Sequence, residues 1–313
     1  MKEKNFLELK LLKIDSVLIS FILRKMIKKL SYIIFVLLNF FDQISKKIFN
    51  RSFLIYLNYF IQEKSYKTIN VFNQKIKFFI PSPITEWRVN TFFTKEPETL
   101  EWIDKFEKNE IIFWDIGANI GLYSIYNALK NKNSKTFCFE PSSSNLRTLT
   151  RNISINNLED KISVLPIALS NKKREFQLLK EGDFVEGGAL NSFGENFNFE
   201  GKQFISKMSY KLFGTSIDSL IEDKILTIPD YVKIDVDGIE HLILEGGATN
   251  CLKDKKLKSV SIEINENFSD QYNAIIQIMK KNNFDLLHKK NNLKFLGKES
   301  KFSKSFNYVF IKK

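Results

Sequence analysis

An aspartate, two glycines and a second acid stand in this sequence where a small ligand would meet the ends of two strands. The apolar run IIFWD (111–115) ends on Asp115 and passes straight into Ile116-Gly117-Ala118-Asn119-Ile120-Gly121. Gly117 permits a tight turn and close backbone approach, and Gly121 lets a following helix pack near the strand. The spacing Asp-x-Gly-x-x-x-Gly departs from the Gly-x-Gly-x-x-Gly of dinucleotide sites. A carboxylate at the strand end repels a pyrophosphate but suits a ligand with a sulfonium and a cationic amino acid moiety. S-adenosylmethionine is such a ligand. Glu140 ends the next apolar run, TFCFE (136–140), where an acid accepts hydrogen bonds from both ribose hydroxyls. Asn119 inside the turn and Pro141 after the acid belong to the same expected cofactor segment.

A second constellation follows the run YVKID (231–235), which continues as Val236-Asp237-Gly238-Ile239-Glu240-His241. Methyl transfer from a sulfonium is an in-line displacement, so alignment supplies most of the catalysis. An acceptor that loses a proton on methylation also needs a base within hydrogen-bond reach. The candidate bases are Asp235, Asp237, Glu240 and His241, with Glu263 at the end of the run SVSIEI (259–264); residue types alone leave the choice open. Lys233 is expected to pair with one of these acids, and His288 to be structural. Several carboxylates on one rim suit a magnesium or calcium ion, yet the expectation here is that no metal is bound.

These residues need a scaffold of alternating elements. Past residue 70, short apolar runs alternate with helical stretches, the pattern of βαβ units and a mostly parallel sheet. Strands are expected at 111–115, 136–140, 162–167, 231–235, 259–264, 284–288 and 306–312, with helices at 98–107, 121–130, 143–156, 240–253 and 270–282. Ala168-Leu169-Ser170, after the third strand, falls where such folds approach an adenine ring, and Gly246-Gly247-Ala248 reads as a helix end. Residues 171–214 fit the alternation poorly. They open with a possible strand, EFQLL, and run on rich in Gly, Asn and Phe. A stretch this long in a compact domain is usually functional or mobile, and it reads as a lid or substrate loop.

The chain has 313 residues, 43% hydrophobic and 27% charged, which excludes wholesale disorder, collagen-like repeats and a polytopic membrane protein. Cys138 and Cys251 match neither a disulfide framework nor a zinc spacing, so a reducing compartment is expected. Residues 1–70 hold 13 Lys and Arg against 5 acids, a net +8 of the chain's +12. Within them LSYIIFVLLNFF (30–41) is too short to span a bilayer and makes a poor secretory signal. Two amphipathic helices, around 6–27 and 30–62, fit better. They either pack on the main domain or a second copy, lie on an anionic membrane surface, or, least favoured, bind nucleic acid.

Several segments together resemble the FkbM family of S-adenosylmethionine-dependent methyltransferases. In order they are Lys95-Glu96-Pro97-Glu98-Thr99, FWDIGANIGLYS (113–124), FEPSSSNL (139–146), ALS (168–170), TSIDSL (215–220), YVKIDVDGIEHLILEGGA (231–248) and SIEIN (261–265). KIDVDGIE is the most specific, and family members more often carry Glu where this chain has Asp237. The likeness covers residues 90–313, within a main domain expected at 71–313. Residues 1–70, the basic helical extension, lie outside it.

The resemblance implies an α/β fold, a doubly wound seven-stranded Rossmann-like sheet whose last strand is inserted antiparallel, matching FNYVFIKK at the terminus. It implies S-adenosylmethionine as cofactor, held by Asp115, Gly117, Asn119, Gly121, Glu140, Pro141, Ala168, Leu169 and Asp235. Catalysis would fall to Asp235, Asp237, His241 or Glu263. It implies methyl transfer to a hydroxyl of a sugar, glycan, lipid-linked glycan or secondary metabolite, in the cytoplasm or at the inner face of the membrane. Two rivals remain, a nucleic-acid methyltransferase and a non-catalytic membrane-surface binding protein. The first lacks an Asn/Asp-Pro-Pro-Tyr/Phe segment, a Pro-Cys and an RNA-binding module, so no nucleic-acid partner is expected. An NAD-dependent oxidoreductase is disfavoured by the glycine spacing.

Overall fold

The computed structural model describes residues 2–292 and 299–313, with side chains from Ile22 onward. The chain divides into two units, Met1–Ser65 and Tyr66–Lys313. The division falls at Ser65 rather than residue 70 because Tyr66–Val71 is already a strand of the second unit.

In the first unit the break between the two helices expected around 6–27 and 30–62 falls instead at residues 50–53, so that α1 runs unbroken over Lys2–Phe49. No Pro or Gly interrupts this stretch, so nothing breaks the helix before Asn50, which takes a left-handed conformation at φ 53°. Asp42 then builds the corner to α2 (Leu54–Lys64). Its buried carboxylate accepts from Ser52 Oγ at 2.8 Å and Leu54 N at 3.1 Å and pairs with Lys46 at 2.8 Å. Burial pushes this carboxyl up, but those donors outweigh it and hold it at about 2. Among the described residues no helix is long and apolar enough to cross a membrane.

The second unit opens with a hairpin, β1 (Tyr66–Val71) and β2 (Gln74–Phe79). Two short helices follow, α3 (Pro83–Asn90), closed by a Ser82–Thr85 capping box, and α4 (Pro97–Ile103). The first half of the main sheet is β3 (Ile111–Ile116), α5 (Leu122–Lys130), β4 (Ser134–Phe139), α6 (Ser143–Ser154) and β5 (Ile162–Leu165). Next come β6 (Ala168–Leu169), β7 (Glu175–Glu181), β8 (Ser192–Phe193) and β9 (Met208–Thr215), a separate four-stranded sheet in the order β6-β9-β7-β8. The expected loop at 171–214 is therefore anchored by sheet at both ends: the EFQLL strand forms, β9 pairs antiparallel with it, and most of the chain between them stays irregular. The chain then runs through α7 (Ile217–Glu222), β10 (Tyr231–Ile234), α8 (Glu240–Glu245), β11 (Ser259–Asn265), α9 (Ser269–Lys281), β12 (Phe284–Lys290) and β13 (Ser305–Lys312).

The main sheet has seven strands in the order β12-β13-β11-β10-β3-β4-β5. All pairs are parallel except those of β13, which lies antiparallel between β11 and β12. This is the doubly wound arrangement expected, with β10 and β3 adjacent where the strand order reverses. Buried side chains cover both faces: Trp114 and Ile116 of β3 enter one core cluster, Ile111 and Phe113 the other. Such two-sided burial is what near-continuous apolar strands require. The helix expected at 240–253 stops at Glu245, because Asp218 takes the Thr249, Asn250 and Cys251 N–H groups at 2.7–3.1 Å.

Candidate active site

Ligands of doubly wound sheets bind beyond the carboxyl ends of the strands, at the point where strand order reverses. There a cavity of about 660 Å³ opens, lined by residues that include Gly117, Asn119, Glu140, Pro141, Ala168, Leu169, Asp235, Asp237 and Glu263. Its size is ordinary for a small-molecule site.

Gly117 makes the cavity possible. At φ 83° it turns the chain off β3, and a Cβ there would sit 1.9 Å from the Asp235 carbonyl oxygen. Only glycine lets the ends of β3 and β10 come this close. Gly121 serves packing instead, since its Cβ would meet the Leu149 side chain at 2.6 Å and it does not line the cavity.

Asp115 corrects the sequence expectation. It lies inside β3, fully buried, and accepts from Ser124 Oγ at 2.5 Å. The pleat aims it at α5, so it does not line the cavity. Burial raises its pKa, and the nearby Lys233 ammonium opposes that. The carboxylate that does line the cavity at the centre of the sheet is Asp235, one residue past the end of β10.

Glu140 stands where expected. Its Oε2 accepts from Asn119 N at 2.7 Å, and its Oε1 from Ser142 N at 2.9 Å and Asn145 Nδ2 at 3.4 Å. Burial nevertheless raises its pKa to about 7. Asn119, at φ 52°, donates from Nδ2 to Gly188 O at 2.6 Å, while its Oδ1 is buried without a protein partner. Asn191 Oδ1, also on the cavity, is likewise unpaired.

A chain of charges lines the other wall. Lys233, buried in β10, donates to Asp235 Oδ2 at 2.7 Å and lies 5.0 Å above the Tyr123 ring. The Tyr123 hydroxyl donates to Glu96 Oε2 at 2.8 Å, and Glu96 pairs with Lys95. Burial works against the Asp235 charge, but Lys233 and Lys95 hold its carboxyl well below the usual range. Glu263 shows the opposite behaviour: burial, then the Asp235 and Glu96 charges, push its carboxyl far up. Asp237, left-handed at φ 67°, accepts on Oδ2 from Leu190 N at 2.6 Å and Asn191 N at 3.4 Å. Burial and the Asp235 charge raise it to about 6.

Two other candidates sit outside the cavity. Glu240 is a structural clamp, accepting from Val236 N, Gly238 N and Gln271 Nε2 at 2.6–3.3 Å. His241 leaves the site: on the first turn of α8 it packs with Phe197 and Phe268, ring centroids 6.4 and 6.0 Å away, and burial lowers its pKa.

Within the expected lid or substrate loop, the strap at 183–191 is the segment on the cavity. Of the region 171–214 this is the part that mainly reaches the cavity, through Asp183 and residues 187–191. Ser82 Oγ donates to Glu186 O and Arg88 Nε to Gly187 O, both at 2.7 Å, and Gly187 N donates to Asn145 Oδ1 at 2.9 Å. Lys95 and Glu96 were visible only as part of a resembling segment.

The Gly117 cradle, the orphaned Asn119 and Asn191 oxygens and the ionised Asp235 fit a ligand with hydrogen-bond donors and a cationic group. Gly117, Asn119, Glu140, Pro141, Ala168, Leu169 and Asp235 would hold it.

No curated protein matches the chain. Among solved structures it is similar to the precorrin-6Y C5,15-methyltransferase of Geobacter metallireducens, at 13% identity over 70% of this chain and 87% of that one, TM-score 0.41. It is also similar to P. horikoshii TYW2 in complex with MeSAdo, at 12% identity over 79% and 70%, TM-score 0.41. A third is the B. subtilis M1A22 tRNA methyltransferase TrmK, at 13% identity over 69% and 66%, TM-score 0.38. The family model described as Methyltransferase FkbM domain matches residues 115–286, more than half of the chain. The chain belongs to the FkbM methyltransferase family, with S-adenosylmethionine as its cofactor.

Proposed function

We propose that the protein methylates a hydroxyl oxygen of a sugar or glycan, free or lipid-linked. The observation that carries this reading is Asp237, a carboxyl on the cavity wall held on Oδ2 by Leu190 N and Asn191 N, which burial and the Asp235 charge raise to about 6. A base of that strength is ionised at neutral pH yet still accepts a proton readily. When bound, S-adenosylmethionine supplies a methyl group whose bond to sulfur breaks as the acceptor oxygen attacks. Asp237 takes the hydroxyl proton. Asp235 stays ionised beside Lys233, and Glu263, whose carboxyl burial pushes far up, lines the same cavity. Asn191, Asn291, Ser305 and Asn307 on the cavity wall supply the hydrogen-bonding groups a polyhydroxyl acceptor needs. A cytoplasmic site of action belongs to this reading and is supported by Cys138 and Cys251, both buried and unpaired.

The test is transfer of labelled methyl from S-adenosylmethionine to nucleotide sugars, free oligosaccharides, lipid-linked glycan extracts and bulk tRNA. Label recovered as a sugar methyl ether is the expected result. Label in tRNA, or on nitrogen or carbon, would overturn the reading.

A further inference from the structure

We propose that the first unit docks on an anionic membrane surface, with α1 lying flat in the interface between acyl chains and headgroups. Leu23, Met26, Leu30, Leu37, Phe41 and Ile48 recur at helical spacing along α1, and all are exposed, Leu30 at 58%, Phe41 at 58% and Ile48 at 65%. At 100° per residue they fall within one arc of about 60°, and the other exposed Ile and Phe side chains of the same stripe widen it to about 140°. From residue 22 to 48 the stripe runs for about 40 Å at 1.5 Å per residue. Exposed apolar patches of this length mark an interaction surface.

The charges say which surface. Arg24, Lys25, Lys28 and Lys29 precede the apolar run, and Lys46, Lys47 and Arg51 follow it. The six of these within α1 lie off the stripe, on the rest of the helix surface. Asp42 is the single acid between residues 22 and 51, and its carboxylate is buried in the corner to α2. The stripe can therefore sink into the apolar boundary while the basic side chains reach anionic headgroups. Tyr32, Phe35 and Val36 lie opposite the stripe between the two basic clusters, which seats the middle of the helix deepest.

A second copy of the chain fits these charges badly. Both ends of the stripe are basic, so parallel and antiparallel pairing alike bring cations together, whereas an anionic bilayer attracts both ends. Spanning is excluded by length, since residues 30–41 cover about 18 Å against a hydrocarbon core of roughly 30 Å.

The experiment is co-sedimentation of the full chain with phosphatidylcholine vesicles and with vesicles enriched in phosphatidylglycerol, alongside light scattering without lipid. Binding to the phosphatidylglycerol vesicles at least about tenfold tighter, weakened by salt, is expected. The double variant Leu30→Glu/Leu37→Glu should lose binding to both vesicle types. Lys28→Glu/Lys29→Glu should lose the anionic preference by about tenfold or more. Both variants should bind S-adenosylhomocysteine as the wild type does, which separates lost docking from lost folding. Failure of the wild type to bind vesicles, or a lipid-free dimer that Leu30→Glu/Leu37→Glu dissociates, would overturn the proposal.

Discussion

Asp237→Asn is expected to lower kcat by about 10²–10⁴-fold, the usual contribution of a positioned base, while leaving S-adenosylhomocysteine affinity within a few-fold. The amide oxygen still accepts from Leu190 N and Asn191 N, the two strap groups that hold the native carboxylate, so the strap keeps its anchor. What disappears is the proton acceptor. In the wild type, activity should fall as pH drops through about 6, where this carboxyl becomes protonated, and the variant's residual activity should lack that limb. Stability moves the other way. A carboxyl whose folded pKa is raised contributes most below its unfolded pKa near 4, and that contribution is lost as pH rises through about 6. Asp237→Asn should therefore melt no earlier than the wild type at pH 8. An unchanged kcat with the acceptor found by methyl transfer, or an acid limb that survives the substitution, would remove Asp237 from the reaction.

The second large effect belongs to Lys233. Its ammonium is buried among Asp235, at 2.7 Å, and the charges of Asp115 and Glu96. Burial disfavours the cation, and those three carboxylates outweigh it, raising its pKa above the ordinary lysine value. Lys233→Met leaves the buried Asp115 and the partly exposed Asp235 without their shared cation. Breaking such a pair from one side costs about 3–5 kcal/mol, against a total stability of roughly 5–15 kcal/mol. The stranded carboxyls titrate upward, so the loss should be smaller at pH 5 than at pH 8, because acid lets them go neutral. Denaturant titrations at the two pH values measure this directly. Equal loss at both, or none, would mean that the lysine holds no buried charge in place.

Much of this arrangement was legible before any coordinates. The glycine turn, the acid at the end of β4 and the KIDVDGIE segment are local patterns, and each places its backbone where the sheet needs it. Periodicity and the resemblance together carried the sheet, including the antiparallel β13. The two aspartates at strand ends were not separable, because the local sequence around each looks alike. Asp115 stops inside β3 and the pleat sends it to Ser124, whereas Asp235 falls just beyond β10 and is free to face the cavity. His241 depended on which side of a six-residue helix faces the cavity, which spacing alone does not fix. The strap at 183–191 showed only as part of a long irregular stretch, and its partners had no signal, since its bonds join it to Ser82, Arg88, Asn119, Asn145 and Asp237, all distant in sequence. The single helix α1 was hidden by its own composition: the change from basic to apolar residues near 28–30 reads as a boundary, but nothing there breaks the backbone.

The central claim, that the cavity at the ends of β3, β4 and β10 is the cofactor site, is tested most directly by calorimetric titration of the purified protein with S-adenosylmethionine, S-adenosylhomocysteine and NAD. Binding of both sulfur compounds at roughly micromolar concentrations, weakened at least about tenfold in Glu140→Ala and absent for NAD, is the predicted result. No heat from either sulfur compound, or a preference for NAD, would contradict it.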